Sequence, residues 1–194
     1  MIRELTPAAL AGDGKSSYSI HLKIRECIGM MRRFDIRGAA AVDASTHKNC
    51  GSLPAETYEA SAEWLDRAAA QGHLGAQLLY AADPEATLGG PSEMLRQPEQ
   101  IGPYKEKARG YLDSAAAQGS VEALIGLGDA YWFGALTERN PALGLAYYRA
   151  VEMVDPNFVS QASMEVLKKQ LSQKEIDFSR TKGMQIHEEC CRAR

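Results

Sequence analysis

Apolar residues recur every three or four positions along most of this chain, and almost nowhere in strict alternation. Across 17–34, Ile20, Ile24, Cys27, Ile28 and Met31 form one stripe of an amphipathic helix, with Arg25, Arg32 and Arg33 on its solvated side. Ser52 reads as an N-cap with Pro54 in the first turn of a helix that runs to Gln71 and stops at Gly72. The next helix covers about 73–82 and ends at Asp83-Pro84. Helices are predicted again over 103–118, 120–133, 141–154 and 157–170. The last begins at Ser172, with Glu175 three residues on in a capping-box pattern, and places Ile176, Ser179, Gly183 and Ile186 on one side. Between these lie a mixed segment at 1–16, expected to be frayed or only partly helical, and a loop at 35–51 with a short turn at 39–42. An irregular insertion at 84–102 carries Pro84, Gly89, Gly90, Pro91, Pro98 and Gly102, with one turn near 93–96.

The pattern repeats. Trp64-Leu-Asp-Arg-Ala-Ala-Ala-Gln-Gly72 returns as Tyr111-Leu-Asp-Ser-Ala-Ala-Ala-Gln-Gly119, identical at seven of nine positions at an offset of 47. A weaker copy, Ala146-Tyr-Tyr-Arg-Ala-Val151, follows at an offset of 35. Ala68, Ala69, Ala115 and Ala116 let helices approach closely, Trp64 and Tyr111 fill the gaps between helix pairs, and Gly72 and Gly119 reverse the chain through a left-handed cap. One such pair cannot bury its own apolar face, so pairs stack.

Composition agrees: 29 Ala against 6 Val and 6 Thr favours helices over any sheet-rich fold. The fold class expected is all-α, a short α/α solenoid of stacked antiparallel pairs with about 7–8 helices. Residues 1–51 form an N-terminal segment with a capping helix at 17–34, 52–155 the repeats with the insertion at 84–102, and 156–194 a C-terminal capping pair.

The stretch Ala123-Leu-Ile-Gly-Leu-Gly-Asp-Ala-Tyr-Trp-Phe-Gly134, followed by Asn140-Pro-Ala-Leu-Gly-Leu-Ala-Tyr-Tyr-Arg-Ala150, resembles the Sel1-like repeat family, a relative of the tetratricopeptide repeats. The family's turn is partly kept as Gly134-Ala-Leu-Thr-Glu-Arg-Asn140. The resemblance covers roughly 60–155 and implies a scaffold or adaptor that binds another protein. Cysteine-rich relatives linked to hydrolysis or penicillin binding carry a cysteine pair in every repeat. Here 60–155 contain no cysteine, so the expectation is a protein that is not an enzyme. The alternative is a hydrolase-like or enzyme-accessory protein acting on cell-wall or β-lactam substrates.

Charge and motifs narrow the picture further. With 22 basic and 25 acidic residues the net charge is −3, against nucleic-acid binding through a basic field. No stretch is long and apolar enough for a membrane span, and the first residues lack the apolar core of an export signal. Gly14-Lys15-Ser16 resembles the end of a P-loop, but Ala9 replaces the first glycine and no strand precedes it. His187, Cys190 and Cys191 lack the further ligands of a tetrahedral metal site, and no cofactor is expected.

The four cysteines allow three pairings. Cys27 with Cys50 is preferred because it ties a helix to the start of the next, and it points to the periplasm. Four reduced thiols would instead place the chain in the cytoplasm. The surface residues expected to meet a partner protein are Trp132, Glu122, Asp129 and Tyr80, aromatic anchors beside charges, with the 84–102 insertion as a second candidate.

Overall fold

The computed structural model describes residues 2–37, 50, 51 and 53–191. Twelve α-helices and no strand occur among them. In chain order they are α1 (Ile2–Leu10), α2 (Gly14–Arg37), α3 (Ala55–Glu59), α4 (Ser61–Ala70), α5 (Leu74–Ala82) and α6 (Glu85–Leu88). Then come α7 (Pro91–Arg96), α8 (Ile101–Ala117), α9 (Val121–Phe133), α10 (Pro141–Val154), α11 (Gln161–Lys168) and α12 (Gln173–Cys191). The helix expected up to Gln71 is divided at Ala60 into α3 and α4, the seven other expected helices are present, α7 lies where one turn was expected near 93–96, and α1 and α6 are additional. Ser52 and the turn expected at 39–42 lie outside the described residues.

The helices stack along the chain as α1 on α2, α2 on α4, α4 on α5, α5 on α8, α8 on α9, α9 on α10, and α10 on both α11 and α12. Leu112, Leu124, Leu127, Leu145, Val151, Met164 and Leu167 are buried at the centre of the C-terminal half, and Leu65, Ala68, Ala69, Ala76, Tyr80, Tyr104 and Ala108 at that of the middle. Between α9 and α10 the side chains almost vanish. A Cβ on Gly144 would lie 3.0 Å from the Gly128 carbonyl oxygen, and one on Gly128 would lie 2.7 Å from the Tyr148 ring. Gly183 does the same for α12, where a Cβ would stand 2.8 Å from the Ala146 carbonyl oxygen.

The repeat begins earlier than the sequence pattern implied. Within 1–16, expected to be frayed or only partly helical, Ile2–Leu10 form α1 and a turn follows at Gly12 with φ +105°, beside φ +81° at Gly72 and +88° at Gly119. The same pair of hydrogen bonds closes all three turns. The glycine N–H bonds Ala9, Ala69 or Ala116, and the next N–H bonds Ala8, Ala68 or Ala115. Asp13, His73 and Ser120 then cap the following helix. Their side chains differ in chemistry but each accepts from a first-turn amide, which is why the sequence copy at 8–16 is hard to see.

Glutamines join successive turns. Gln71 donates to the Ala9 carbonyl at 2.8 Å and accepts from Ser17 Oγ at 2.6 Å. Gln77 donates to the equivalent Ala69 carbonyl at 3.1 Å and accepts from Gln118 at 3.1 Å. Gln71 thus holds the helix end of the repeat before it, while Gln77 bonds within its own helix pair and is itself held by Gln118 of the repeat after.

Gly14-Lys15-Ser16 opens α2, and the backbone amides of Lys15 and Ser16 donate to the Asp13 carboxylate at 3.2 Å each. The amides a phosphate would use are occupied by the chain's own carboxylate. Cys27 and Cys50 form the expected disulfide, with their Cα atoms 5.3 Å apart, and Tyr58 donates its hydroxyl to the Cys50 carbonyl. The neighbouring Cys190 and Cys191 at the end of α12 are also joined.

His21 is fully buried where α2 meets α4. Its Nδ1–H donates to the Ser61 carbonyl at 2.8 Å, while Nε2 has no partner. Burial holds its pKa below the usual imidazole value; the Ser61 bond opposes this, Arg25 adds to it and Asp83 opposes it. The native state keeps His21 neutral, whereas the unfolded chain takes up a proton below about pH 6.5. This contribution is therefore constant above that value and is lost as pH falls below it.

Three outcomes are expected. Urea denaturation of the wild type from pH 7.5 to pH 5 should show stability falling below about pH 6.5, and His21→Gln should flatten that fall; equal slopes would contradict the assignment. Gly183→Ala should destabilise by about 1–3 kcal/mol through overpacking. Gly110→Ala, with nothing within 4 Å of the added methyl, should stabilise by roughly 0.5–1 kcal/mol.

Candidate functional site

A concavity of about 650 Å³ is bounded by α5, α8, α9 and the 84–102 insertion. Leu78, Ala81, Leu112, Gly126 and Ala130 form its apolar floor. The insertion is more ordered than its proline and glycine content suggested. Asp83 accepts from the Ala86 amide to start α6, and Ala86 is buried against the α4–α5 core. Gly89, at φ +78°, then redirects the chain into α7. Leu88 and Met94 face the concavity from this side, and Ile101 from the start of α8. The helix α7 buries no residue and packs chiefly on α6 and the 3-10 turn Pro98–Gln100, so it forms a lip over the groove.

Three charged groups line this groove: Lys105, Glu122 and Asp129. Glu122 accepts from Ser120 Oγ at 3.0 Å, on its own helix cap. Asp129 accepts the Tyr148 hydroxyl, and burial together with that carboxylate pushes the Tyr148 pKa well above the usual phenol value. Lys105 has no ion-pair or hydrogen-bond partner among the described residues.

A second cavity of about 330 Å³ adjoins the first across Asp129 and Phe133. Its walls include Ile125, Trp132, Tyr148, Phe158 and Met164. Phe133 stands between the two, 64% exposed, with its ring 4.7 Å from that of Trp132. Trp132 in turn meets Tyr148 edge-on at 6.0 Å. The half-buried Trp132, backed by the buried Tyr148, thus packs against the exposed Phe133 ring.

Glu122 and Asp129 are accordingly brought together in the large groove, and Trp132 shares the smaller cavity with Asp129. Tyr80 is a correction. It is 6% exposed, stacked on Tyr104 at 5.3 Å and edge-on to Tyr111 at 5.0 Å, so it supports the groove from beneath and offers no surface. Its phenol, pushed up to about 12 first by burial and then by Asp66, stays neutral. Tyr131 stacks on Tyr147 at 5.6 Å, and Tyr148 takes the core place over Gly128. Phe133 was the residue to add: three consecutive aromatics cannot share one helix face, so one must point outward. Lys105 and Met94 carried no such signal, since their role depends on where the insertion folds. Among the described residues no group of three or more His, Cys, Asp or Glu side chains could hold a metal ion, and no helix is long and apolar enough to cross a membrane.

No protein-family model matches the chain, and no curated protein matches it. Among solved structures it is similar to a protective antigen present in uropathogenic Escherichia coli strains that displays an SLR, or Sel1-like repeat, fold. Identity is 19% and the TM-score 0.55, over 97% of this chain and 41% of the other, so this chain spans less than half of that protein. With that likeness, the three glycine-capped turns and the helix-only architecture, the chain has the Sel1-like repeat fold.

Proposed function

We propose that this chain is a protein-interaction module, not an enzyme, of a bacterial cell envelope, acting as an adaptor, a regulatory subunit or an immunity-type protein. The observation that carries the reading is Phe133. A large apolar ring is held in the open by Trp132 and flanked by two cavities that share it and Asp129. Aromatic anchors seated beside pockets and charges are the usual centre of a protein interface. Glu122, Asp129 and Trp132 belong to this surface, and the 84–102 insertion supplies its outer wall. The Cys27–Cys50 disulfide supports an oxidising compartment such as the periplasm.

Cross-linking capture from the native cell tests the proposal, comparing the wild type with Trp132→Ala/Phe133→Ala and with a chain lacking 84–102. A defined protein captured by the wild type should be lost from both variants while their circular dichroism stays helical. Equal capture by all three chains, or turnover of peptidoglycan or a β-lactam abolished by Glu122→Gln, would overturn it.

A further inference from the structure

The smaller cavity is built around one negative charge and four aromatic rings. Of its ten lining residues Trp132, Phe133, Tyr148 and Phe158 are aromatic, in a chain whose aromatic content is 7%. Phe133 and Phe158 are exposed on it, and Trp132 and Tyr148 meet at an interplanar angle of 85° as adjoining walls. Asp129 is the single charged residue in the lining. Its Oδ1 accepts the Tyr148 hydroxyl, which keeps its proton because burial holds that phenol far above its usual pKa. Its Oδ2 has no partner among the described residues, and neither has Ser163 Oγ beside it in the lining. Resting on the interaction reading above, we infer that this cavity takes an arginine side chain of the partner protein, its guanidinium paired with Asp129 and laid against the aromatic walls.

Size decides against a larger element. The cavity holds about 330 Å³, whereas one helical turn about 10 Å across and 5.4 Å high fills roughly 400 Å³. A single side chain fits. Charge decides its sign. The N-terminus of α11 borders the cavity and would favour an anion, but Ser160 already accepts from its Ser163 amide at 3.3 Å and the Asp129 carboxylate stands in the same space. No lysine or arginine lines this cavity to offset that carboxylate. Lys105 lines the larger cavity and makes no ion pair among the described residues, and Arg139 is spent on the Trp132 carbonyl at 3.1 Å and Gln170 at 2.8 Å. An apolar group would remove Asp129 from water without a counter-charge. Among cations the choice falls to hydrogen bonding and shape. Asp129 Oδ2 and Ser163 Oγ call for N–H donors, of which a quaternary ammonium has none. An ammonium is a compact, strongly hydrated point charge, whereas a guanidinium is planar, weakly hydrated, rich in donors and stacks on aromatic faces.

The test follows the Trp132 indole N–H of the whole, isotope-labelled chain by NMR, its signal assigned with Trp132→Phe. The probes are the N-acetyl methylamides of arginine, lysine, citrulline and phosphoserine, and tetramethylammonium. The arginine derivative should shift the signal saturably and bind about tenfold more tightly than its neutral isostere citrulline, the scale of roughly one charge pair. The lysine derivative should bind more weakly than arginine. Asp129→Asn, whose side-chain carbonyl can still accept from Tyr148, should remove the tenfold margin, and Phe158→Ala, which deletes an exposed ring, should weaken arginine binding severalfold. Unchanged circular dichroism and melting curves show that both variants fold. The arginine derivative should also displace the protein captured by the wild type, and Asp129→Asn should capture less of it. No saturable shift, equal binding of arginine and citrulline, or a margin unmoved by Asp129→Asn would overturn the inference. So would lysine, tetramethylammonium or phosphoserine binding as tightly as arginine. Arginine binding with capture that ignores Asp129 would overturn the partner protein as its source. If arginine fails to bind while capture still depends on Trp132 and Phe133, the interaction reading stands and only the arginine is wrong.

Discussion

Two helices can bring backbone against backbone only where neither places a side chain in the way, and this chain does so repeatedly. The Gly128 carbonyl lies where a Cβ on Gly144 would nearly touch it, and the Ala146 carbonyl leaves no room for one on Gly183. Buried Ala68, Ala69, Ala115 and Ala116 do the same work earlier in the chain. Close approach maximises dispersion contacts per residue, which compensates for a core poor in large side chains. It also makes the geometry intolerant: a single methyl in the wrong place must displace a helix.

From that constraint follows the rest of the architecture. Helices held at short distance by alanine and glycine are reversed by positive-φ glycines and linked by glutamines to the repeat before. Consecutive pairs then stack in one sense, so α5 and α9 flank the same groove. The insertion interrupts this regularity between α5 and α8, and its two short helices wall the groove instead of leaving it open. The tyrosines beneath it, Tyr80, Tyr104 and Tyr111, are tied by hydroxyl bonds from Tyr104 to the Tyr80 carbonyl at 2.8 Å and from Tyr111 to Asp66 at 2.8 Å. The groove therefore rests on a floor that is packed and hydrogen-bonded.

The Ala-Ala-Ala-Gln-Gly runs made the repeat legible because alanine and glycine act through size and φ, properties that survive in a one-letter string. The Gly12 turn escaped notice because only Ala8, Ala9 and Gly12 match; Leu10, Ala11 and Asp13 hold the places of Ala70, Gln71 and His73, and the shared feature is a cap geometry. Trp132, Glu122 and Asp129 were readable from spacing along α9, since helical offsets of three and seven put residues near one another. Tyr80 was misread because its neighbours Tyr104 and Tyr111 arrive from a helix more than twenty residues later. Lys105 and Met94 became visible only once the insertion had a shape, as local pattern says nothing about which surface a loop will cover.

The central claim is that small residues at equivalent repeat positions set the helix spacing. Ala68 and Ala115 are fully buried, whereas Ala70 and Ala117, two residues further on, are exposed. The most direct test compares the urea midpoints of Ala68→Leu/Ala115→Leu and Ala70→Leu/Ala117→Leu. The first pair should lose stability, by about 1–3 kcal/mol per site, and the second should match the wild type within roughly 0.5 kcal/mol per site. Equal midpoints for the two double variants would contradict the register and, with it, the packing on which the groove depends.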